Sequence, residues 1–440
     1  MHTSGVPTGR IMGQLHRSAV VRTVATLGAL ALAGLLVWTA FDVSPRHGLD
    51  FRVYLSGGQS VLDAAGELYT KSVQYDADSS LLFTYPPFAA LVFAVLAPFG
   101  QSLGLNIFTG ISLAIAAATA VWAVRYVHSS GSAADVLRHP WLRPLAIACA
   151  GLIVLLGPWR ETSAFGQINI LLFGLIMADF LIKKDGWPTG LLTGVAAGLK
   201  LTPLVFGLYF LARGDWRGLR NMTYGFLSTF ALGFLILPRE SRTYWLDLLP
   251  DTSRIGGAGY VDNLSLKGAI LHFGGPDFPV DIPWLILSLA AVAATAVIIR
   301  IAGSRGQTFT ALAAAALLML LISPVSWSHH WVWVALFIPV LARNIMDLGP
   351  GQRKLRISGL ILLVSSLVIF IYSPKTIGEL FDAPNLDSQI PEPWLMASSI
   401  GVFWGIGLLA WWLAGYWGSR PRDWWRNNPP GLLRAPEPQP

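Results

Sequence analysis

Long apolar runs separated by short polar segments dominate this chain. A helix that crosses a bilayer needs about 20 apolar residues, and several runs are shorter than that, which predicts tilted or re-entrant segments. The pattern therefore predicts an all-α, polytopic membrane protein with about 11–12 transmembrane helices. The runs are 20–41, 81–99, 103–126, 144–158, 166–182, 187–212, 217–237, 283–302, 308–324, 330–343, 355–372 and 394–417.

Lysine and arginine cluster between these runs. Because such clusters stay in the cytoplasm, the opposite segments 42–80, 238–282, 325–330 and 373–393 are predicted to lie outside. This orientation gives a transmembrane domain of 20–420 between a cytoplasmic tail (1–19) and a cytoplasmic Pro-rich tail (421–440). The clusters are Arg213, Arg217 and Arg220; Arg300 and Arg305; Arg343, Arg353, Lys354 and Arg356; and the tail 420–426.

The region between 81 and 212 allows two topologies. A plain alternation of spans places Lys183–Lys184 outside and 159–167 inside. A re-entrant hairpin at 81–99, together with a break near Lys200–Pro203, reverses both assignments. Proline and a lysine within apolar runs give physical reasons for irregular backbone, and the sequence leaves both topologies open.

Composition supports the membrane assignment and excludes other classes. The chain is 54% hydrophobic and only 12% charged, whereas soluble domains carry about 25% charge. The net charge of +7 is spread over short clusters, so no nucleic-acid partner is expected. The single cysteine, Cys149, excludes an internal disulfide and a cysteine-based metal site. The basic N-terminus before the first run is interpreted as a retained signal anchor.

A polar segment directly after the first run carries the leading catalytic candidate. GLDFRVY places Asp50, Arg52 and Tyr54 at a membrane boundary, where an ionisable group is costly unless it is used or paired. Asp50 is a candidate general base, with Arg52 and Tyr54 as supporting contacts. The alternative is an ordinary solvated loop carboxylate. The following residues, 56–80, are expected to shape a groove as a lid or interfacial helix.

Three further polar islands offer ligand-binding groups. Gln167 and Asn169 suit either helix–helix hydrogen bonds or sugar hydroxyls, since an amide both donates and accepts. Lys200 lies within an apolar run and must be paired, meet a phosphate or reach the interface. The outer loop 238–282 holds Arg254, Asn263 and Lys267 and could cover a groove; a loop that only joins two spans is usually shorter.

SPVSWSHHWVW carries two adjacent histidines, His329 and His330, behind Trp327. Neighbouring residues on a helix face about 100° apart, so the pair does not suit one metal ion, and no zinc motif is present. We expect no metal or other cofactor. The imidazoles would contact a lipid phosphate or sugar hydroxyls, or anchor the helix end together with the tryptophan.

The ordered motifs resemble a known family. GLDFRVY, FTYPPFAALV, FGQINILLF, GVAAGLKLTPLVF, NLSLKG and SPVSWSHHWVW together resemble the actinobacterial polyprenol-phosphate-mannose-dependent mannosyltransferases of the GT-C superfamily. Each motif is weak, but their order is specific, and the similarity covers roughly residues 20–420. Two departures stand out: Leu264 occupies a position where the family often has glutamine, and Asp42 lies eight residues before Asp50 and competes for its role.

The resemblance implies an inverting glycosyltransferase in the plasma membrane with an extracytoplasmic active site. Its donor would be polyprenyl-phosphate-mannose and its acceptor a mannosylated lipid, and the likeness is greatest to α-1,2-mannosyltransferases that elongate phosphatidylinositol mannosides. The mannan-branching enzymes of lipomannan and lipoarabinomannan are the close alternative. The family's catalytic aspartate corresponds to Asp50, and its histidine region to His329 and His330.

This chemistry needs one base and a cation for the leaving phosphate. The histidines are the first candidates for the second role, followed by Lys200, Lys267, Arg52 and Arg254. The Asp76–Asp78 pair resembles a nucleotide-sugar motif by chance, because it lies outside. A lipid-linked sugar transporter or flippase is the alternative class, but no inverted repeat is detectable and the polar islands gather at one face.

Overall fold

The computed structural model describes residues 8–64, 66–74, 80–182, 185–250, 256–373, 376 and 392–418. It is helical apart from one short antiparallel hairpin, in which Val73 pairs with Leu81. Several predicted features lie outside the described residues: Lys183–Lys184, Asp76–Asp78, Arg254, the tail 421–440 and most of 373–393. The helices are α1 Thr8–Val43, α2 Leu49–Leu62, α3 Pro87–Ala94, α4 Gly100–His128, α5 Ala133–Arg138, α6 Leu142–Leu155, α7 Gly157–Phe165, α8 Asn169–Leu181, α9 Leu191–Leu199, α10 Gly207–Arg213, α11 Trp216–Ile236, α12 Pro238–Arg242, α13 Leu266–Gly274, α14 Asp281–Ser304, α15 Thr308–Ile322, α16 Val334–Met346, α17 Arg353–Ile371, α18 Glu392–Ser398 and α19 Ile400–Gly418; the strands are β1 Ser72–Gln74 and β2 Ser80–Leu82; 3-10 helices cover Ala97–Phe99, Thr202–Phe206 and Ser328–Trp333; and a π-helix covers Thr243–Leu248.

Long apolar helices confirm a multi-pass membrane protein. Four in the described part of the chain are long and apolar enough to cross a bilayer: Val20–Val43, Ala97–His128, Asp281–Ser304 and Arg353–Ile371. The pair α6–α7, bent by 63°, makes a fifth if it is one span. Shorter apolar helices lie at Asn169–Leu181, Thr202–Arg213, Thr308–Ile322 and Ile400–Tyr416. The predicted runs, about 11–12 in number, therefore do not each form one straight helix.

The breaks occur where the sequence interrupts an apolar run. The run at 81–99 yields only α3, which has 8 residues and is too short to cross a bilayer, followed by a short 3-10 helix. The run at 187–212 stops at Leu199, and Lys200 is extended (φ −151°, ψ 131°). Pro203, which cannot continue the hydrogen bonding of an α-helix, begins the next 3-10 turn. The structure thus favours irregular backbone in both predicted places.

The sharp corner between α6 and α7 is held by a buried arginine. Arg160 is 5% exposed, and its guanidinium donates to the Leu155 carbonyl at 3.1 Å and to the Ile371 carbonyl. These carbonyls end α6 and α17, where no helical partner exists. Its Nε donates to the Ser44 hydroxyl at 3.2 Å. The Arg160 side chain therefore links the C-terminal ends of α1, α6 and α17.

Helix α15 forms the centre of the bundle. Every residue from Thr310 to Leu321 is buried, as expected for a helix that is apolar on all sides. Its first residues follow Arg305 and Gln307, and its last turn leads to Ser323. Arg305 and Gln307 therefore lie at one end of this buried helix, and Ser323 lies at the other end.

Small residues bring α9 against α11 and so fix the position of Lys200. Gly190, Gly194 and Gly198 recur every four residues, and a Cβ at each would collide with α11 or the backbone beside it. Such glycine rows allow close helix contact in membranes. A Cβ on Gly198 would overlap the Thr229 side chain. The end of α9 is therefore held rigidly.

Asp179 locks the start of α9 to α8. Its carboxylate is fully buried and accepts hydrogen bonds from Gly190 N at 2.9 Å, from Thr193 N at 2.9 Å and Oγ1 at 2.7 Å, and from Trp187 Nε1 at 3.2 Å. Two of these donors are amides at the N-terminus of α9, where a negative charge is stabilising.

We predict that Asp179→Ala destabilises the protein by about 3 kcal/mol, because several buried donors lose their acceptor. Thermal unfolding in detergent measures the change as a lower apparent melting temperature. Asp185→Ala, at an exposed carboxylate a few residues away, is the control. Equal melting temperatures for the two variants would contradict the assignment.

Candidate active site

One cavity gathers several of the predicted site residues. It has a volume of about 410 Å³ and is bounded by α2, β2, the end of α9, the π-helix and the segment before α16. Five residues singled out from the sequence line it: Asp50, Gln167, Lys200, Trp327 and His330. The cavity therefore joins a carboxylate, an ammonium, an amide, an indole and an imidazole.

Asp50 reaches the cavity because of a sharp entry into α2. Gly48 adopts a left-handed conformation (φ 61°, ψ 36°), which glycine tolerates best, and its N–H donates to the Ala164 carbonyl at 2.9 Å. This bond ties the start of α2 to α7. Asp50 then lies in the first turn, where the helix dipole stabilises its charge, and it is half-buried.

Lys200 is held from two sides. Its Nζ donates to Asn169 Oδ1 at 3.0 Å and lies 3.1 Å from His330 Nε2. An ammonium has only donors, so Nε2 accepts and His330 is neutral, with its proton on Nδ1. Within the described residues these two bonds leave the third N–H of Lys200 for a ligand in the cavity. In this arrangement the ammonium of Lys200 is the charged member of the pair, and the His330 ring accepts from it.

The rings of the adjacent histidines point in different directions, and of the two only His330 lines the cavity. The His329 ring does not line the cavity; it lies 5.3 Å from the Phe165 ring and nearly perpendicular to His330, with 4.8 Å between centroids. Its carbonyl accepts from Thr162 Oγ1 at 2.8 Å and from Asn169 Nδ2 at 3.1 Å. His330 thus faces the cavity, while His329 anchors the 3-10 helix to α7 and α8.

A buried hydrogen-bond network lies behind Asp50. The Tyr54 hydroxyl is 2.8 Å from Gln167 Oε1 and 2.9 Å from the Tyr85 hydroxyl. Tyr54 stacks on Phe93 with ring centroids 4.2 Å apart. Burial above all, with added repulsion from Tyr85 and from the Asp50 carboxylate, raises the pKa of Tyr54 well above its usual range. The phenol therefore stays protonated and can donate.

Tyr85 was not among the site residues predicted from the sequence, although it lies within the motif FTYPPFAALV. Its side chain lines the cavity, and its hydroxyl lies 3.3 Å from Gln167 Oε1. The Lys200 ammonium lies 5.8 Å from its ring centroid. A lone tyrosine before a proline pair carries little signal, because only the tertiary fold brings it beside Lys200.

Asn263 and Lys267, two other predicted ligands, lie elsewhere. The Asn263 amide is fully occupied, since Nδ2 donates to the Ala258 and Pro324 carbonyls and Oδ1 accepts from Ser326 N at 2.8 Å. It holds the outer loop against the segment that carries Trp327. Lys267 forms an ion pair with the exposed Asp281 at 2.9 Å, outside this cavity.

Arg52, Asp42 and Arg254 complete the predicted set. Arg52 is half-buried on α2 but does not line the cavity. Asp42 is exposed at the end of α1 and also lies outside the cavity, so Asp50 has the better position for chemistry. Arg254 lies outside the described residues and stays a prediction.

Comparison with known proteins decides the family. The family model described as glycosyltransferase family 87 matches residues 83–324, more than half of the chain. The chain belongs to glycosyltransferase family 87. The matched region contains most of the cavity, from Tyr85 to Ser323, although Asp50 precedes it and His330 follows it.

Curated relatives match a larger part of this family 87 chain than the family model does. A polyprenol-phosphate-mannose-dependent alpha-(1-2)-phosphatidylinositol mannoside mannosyltransferase of Mycolicibacterium smegmatis is 33% identical over 365 residues, which cover 79% of this chain and 80% of the relative. A corresponding phosphatidylinositol pentamannoside mannosyltransferase of Mycobacterium tuberculosis is 32% identical over 398 residues, covering 90% and 86%. The crystal structure of ArnT from Cupriavidus metallidurans bound to undecaprenyl phosphate aligns at 16% identity and a TM-score of 0.40, covering 89% of this chain and 77% of ArnT.

These findings confirm the predicted resemblance and the assignment of the chain as a glycosyltransferase. The roles of individual residues rest on the geometry of the cavity and are taken up below.

One group of metal-ligating side chains occurs among the described residues. Glu161, Asp262 and His329 are buried, and one ligand atom from each lies within 4.8 Å of the others. The Ser328 hydroxyl lies between the two carboxylates, 2.5 Å from Glu161 and 3.0 Å from Asp262. Ser328 N also donates to Asp262 at 3.3 Å. The group thus acts as a hydrogen-bonded anchor for the 3-10 helix.

We predict that glycosyl transfer needs no divalent metal. Sugar transfer by membranes containing the full chain should survive exhaustive chelation, because the cavity already supplies a cation in Lys200. Loss of activity that returns with Mg²⁺ or Mn²⁺ would overturn this prediction. A Glu161→Gln variant, assayed with and without chelator, tells whether such an ion acts at the anchor.

Proposed function

We propose that this family 87 enzyme transfers mannose from polyprenyl-phosphate-mannose to a mannosylated glycolipid of the phosphatidylinositol mannoside type. The reaction inverts the anomeric centre and forms an α-1,2 linkage at the extracytoplasmic face of the plasma membrane. Asp50 is the general base, and Lys200 stabilises the leaving phosphate. No metal or other cofactor takes part.

The donor and acceptor follow from the relatives. Proteins about one-third identical over most of this chain are described as polyprenol-phosphate-mannose-dependent and act on phosphatidylinositol mannosides with alpha-(1-2) specificity. Both mannoside and pentamannoside acceptors occur among them at similar identity. The acceptor class is therefore proposed as a mannolipid, and the length of its mannose chain is left to experiment.

A single observation carries the mechanism: Asp50 and Lys200 line the same cavity. A sugar transfer from a phosphate needs an acceptor of protons on one side of the anomeric carbon and a positive charge on the other. Among the described residues that line this cavity, Lys200 is the one cation. His330 is neutral, because it accepts a hydrogen bond from Lys200.

In the transfer step the acceptor hydroxyl attacks the anomeric carbon of mannose. Its proton passes to the Asp50 carboxylate as the new carbon–oxygen bond forms. The bond from the anomeric carbon to the phosphate oxygen breaks, and the phosphate keeps the electron pair. Lys200 neutralises this charge in a site with little water. A carboxylate of ordinary basicity suffices, because the leaving group is already activated.

The extracytoplasmic orientation rests on the opposite ends of α15. The cavity lies at the Ser323 end, whereas Arg305 precedes the first turn. A Cβ on Gly303 would lie 2.7 Å from the Arg213 guanidinium, so two of the predicted cytoplasmic clusters meet at the end opposite the cavity. Under the positive-inside rule, this arrangement supports an extracytoplasmic cavity.

We predict that Asp50→Asn lowers the rate of mannose transfer by about 10³-fold, the range expected for loss of a general base. The assay uses membranes containing the full-length chain, labelled polyprenyl-phosphate-mannose and a phosphatidylinositol mannoside acceptor. Mass spectrometry and α-1,2-mannosidase digestion identify the product. Asp63→Asn, an exposed carboxylate at the end of the same helix, should keep the wild-type rate.

Two results would contradict the proposal. A full rate in Asp50→Asn removes the assigned base. Movement of labelled lipid across the membrane by the wild type, without any new glycosidic bond, would instead indicate a transporter.

We predict that Lys200→Met lowers turnover by about 10²-fold, because the leaving phosphate loses its cation. The donor KM should rise as well, since the ground state also carries a phosphate. Lys354→Met, an exposed lysine on α17, is the control. Unchanged turnover in Lys200→Met would contradict the assignment of Lys200 to the leaving phosphate.

A further inference from the structure

The side-chain amide of Gln167 has a fixed direction. Its Oε1 accepts from Tyr54 at 2.8 Å and lies 3.3 Å from the Tyr85 hydroxyl. The backbone N–H of Ile168 also donates to it, at 3.2 Å. A backbone N–H cannot accept a hydrogen bond, so the atom that it contacts must be the carbonyl oxygen. The assignment of the two amide ends is therefore not arbitrary.

The other end of the amide is then a pure donor. Gln167 is only 5% exposed, yet it lines the cavity. Because Oε1 already accepts from the Tyr54 hydroxyl and from the Ile168 N–H, the NH₂ group is the part left to face a ligand. A buried donor gains most from an oxygen acceptor and loses most when it meets a group that cannot accept a hydrogen bond.

The surroundings of Gln167 favour the donor substrate. Tyr85 contacts Oε1 with its hydroxyl, and the Lys200 ammonium lies 5.8 Å from its ring centroid. The amide and the cation assigned to the phosphate thus have Tyr85 as a common neighbour in the wall of one cavity. Mannosyl phosphate presents only oxygen atoms to this wall, as hydroxyl groups or phosphate oxygens.

Building on the proposed function, we propose that Gln167 determines specificity by donating from Nε2 to an oxygen of the mannosyl phosphate. The two tyrosines and the Ile168 N–H are positioning groups, because they hold the carbonyl end and thereby aim the NH₂ end. The arrangement selects for an oxygen acceptor beside Lys200, and it does not depend on the mannolipid acceptor.

Gln167→Glu tests the direction of the amide. The change keeps the shape and one oxygen for the tyrosines, but it puts a second oxygen where NH₂ stood. We expect the donor KM to rise by roughly tenfold or more, the size of one reversed buried hydrogen bond. The KM for the mannolipid should stay within about twofold, because the amide is assigned to the donor substrate.

Gln307→Glu is the matched control. Gln307 Oε1 also accepts from a tyrosine hydroxyl, that of Tyr416, at 2.6 Å. However, Gln307 lies at the end of α15 that is opposite the cavity, and this helix is about 22 Å long. Its donor KM should match that of the wild type. Gln167→Met, which has no donor and no charge, should raise the donor KM less than Gln167→Glu does.

Inhibition by polyprenyl phosphate locates the contact. If the amide meets the phosphate, Gln167→Glu weakens this inhibitor in parallel with the donor; if it meets the sugar, only the donor is affected. An unchanged donor KM in both Gln167 variants with normal melting temperatures overturns the inference alone. Failure of the wild type to form mannolipid from this donor would instead overturn the proposed function.

Discussion

The contact of the Lys200 ammonium with Asn169 and His330 is the interaction on which the site depends. It joins three segments that are distant in sequence: the end of α9, the start of α8 and the 3-10 helix before α16. A lysine within an apolar run is tolerated only where it has partners or faces a polar cavity. Lys200 follows directly after the last residue of α9 and lines the cavity.

The supporting structure serves to hold these three segments in register. Glycines bring α9 close to α11, Asp179 fixes its first turn, and Arg160 caps two helix ends at the corner before α7. On the other side, Ser328 contacts two buried carboxylates and anchors the 3-10 helix. Irregular backbone at membrane depth is stable because its polar groups are paired within the protein.

The positions of side chains relative to the cavity distinguish residues that the sequence alone treats as equivalent. SHH offers two equivalent imidazoles, but only His330 faces the ligand, and its contact with Lys200 makes it an acceptor rather than a cation. Asp42 and Asp50 compete on sequence, yet only Asp50 lines the cavity. Tyr85, inconspicuous beside a proline pair, joins the same wall. Each outcome depends on side-chain direction, which spacing along the chain does not specify.

The sequence by itself determined the membrane class, the helical fold and the family, because apolar run lengths and ordered motifs are local properties of the chain. It also located Asp50, Gln167, Lys200 and His330 as polar residues in apolar surroundings. Tertiary structure alone decided that these four share one cavity, that Asn263 and Lys267 do not line it, and that several runs break. The reason is physical: hydrophobicity is read residue by residue, whereas hydrogen-bond partners come from segments more than a hundred residues apart, as with Lys200 and His330.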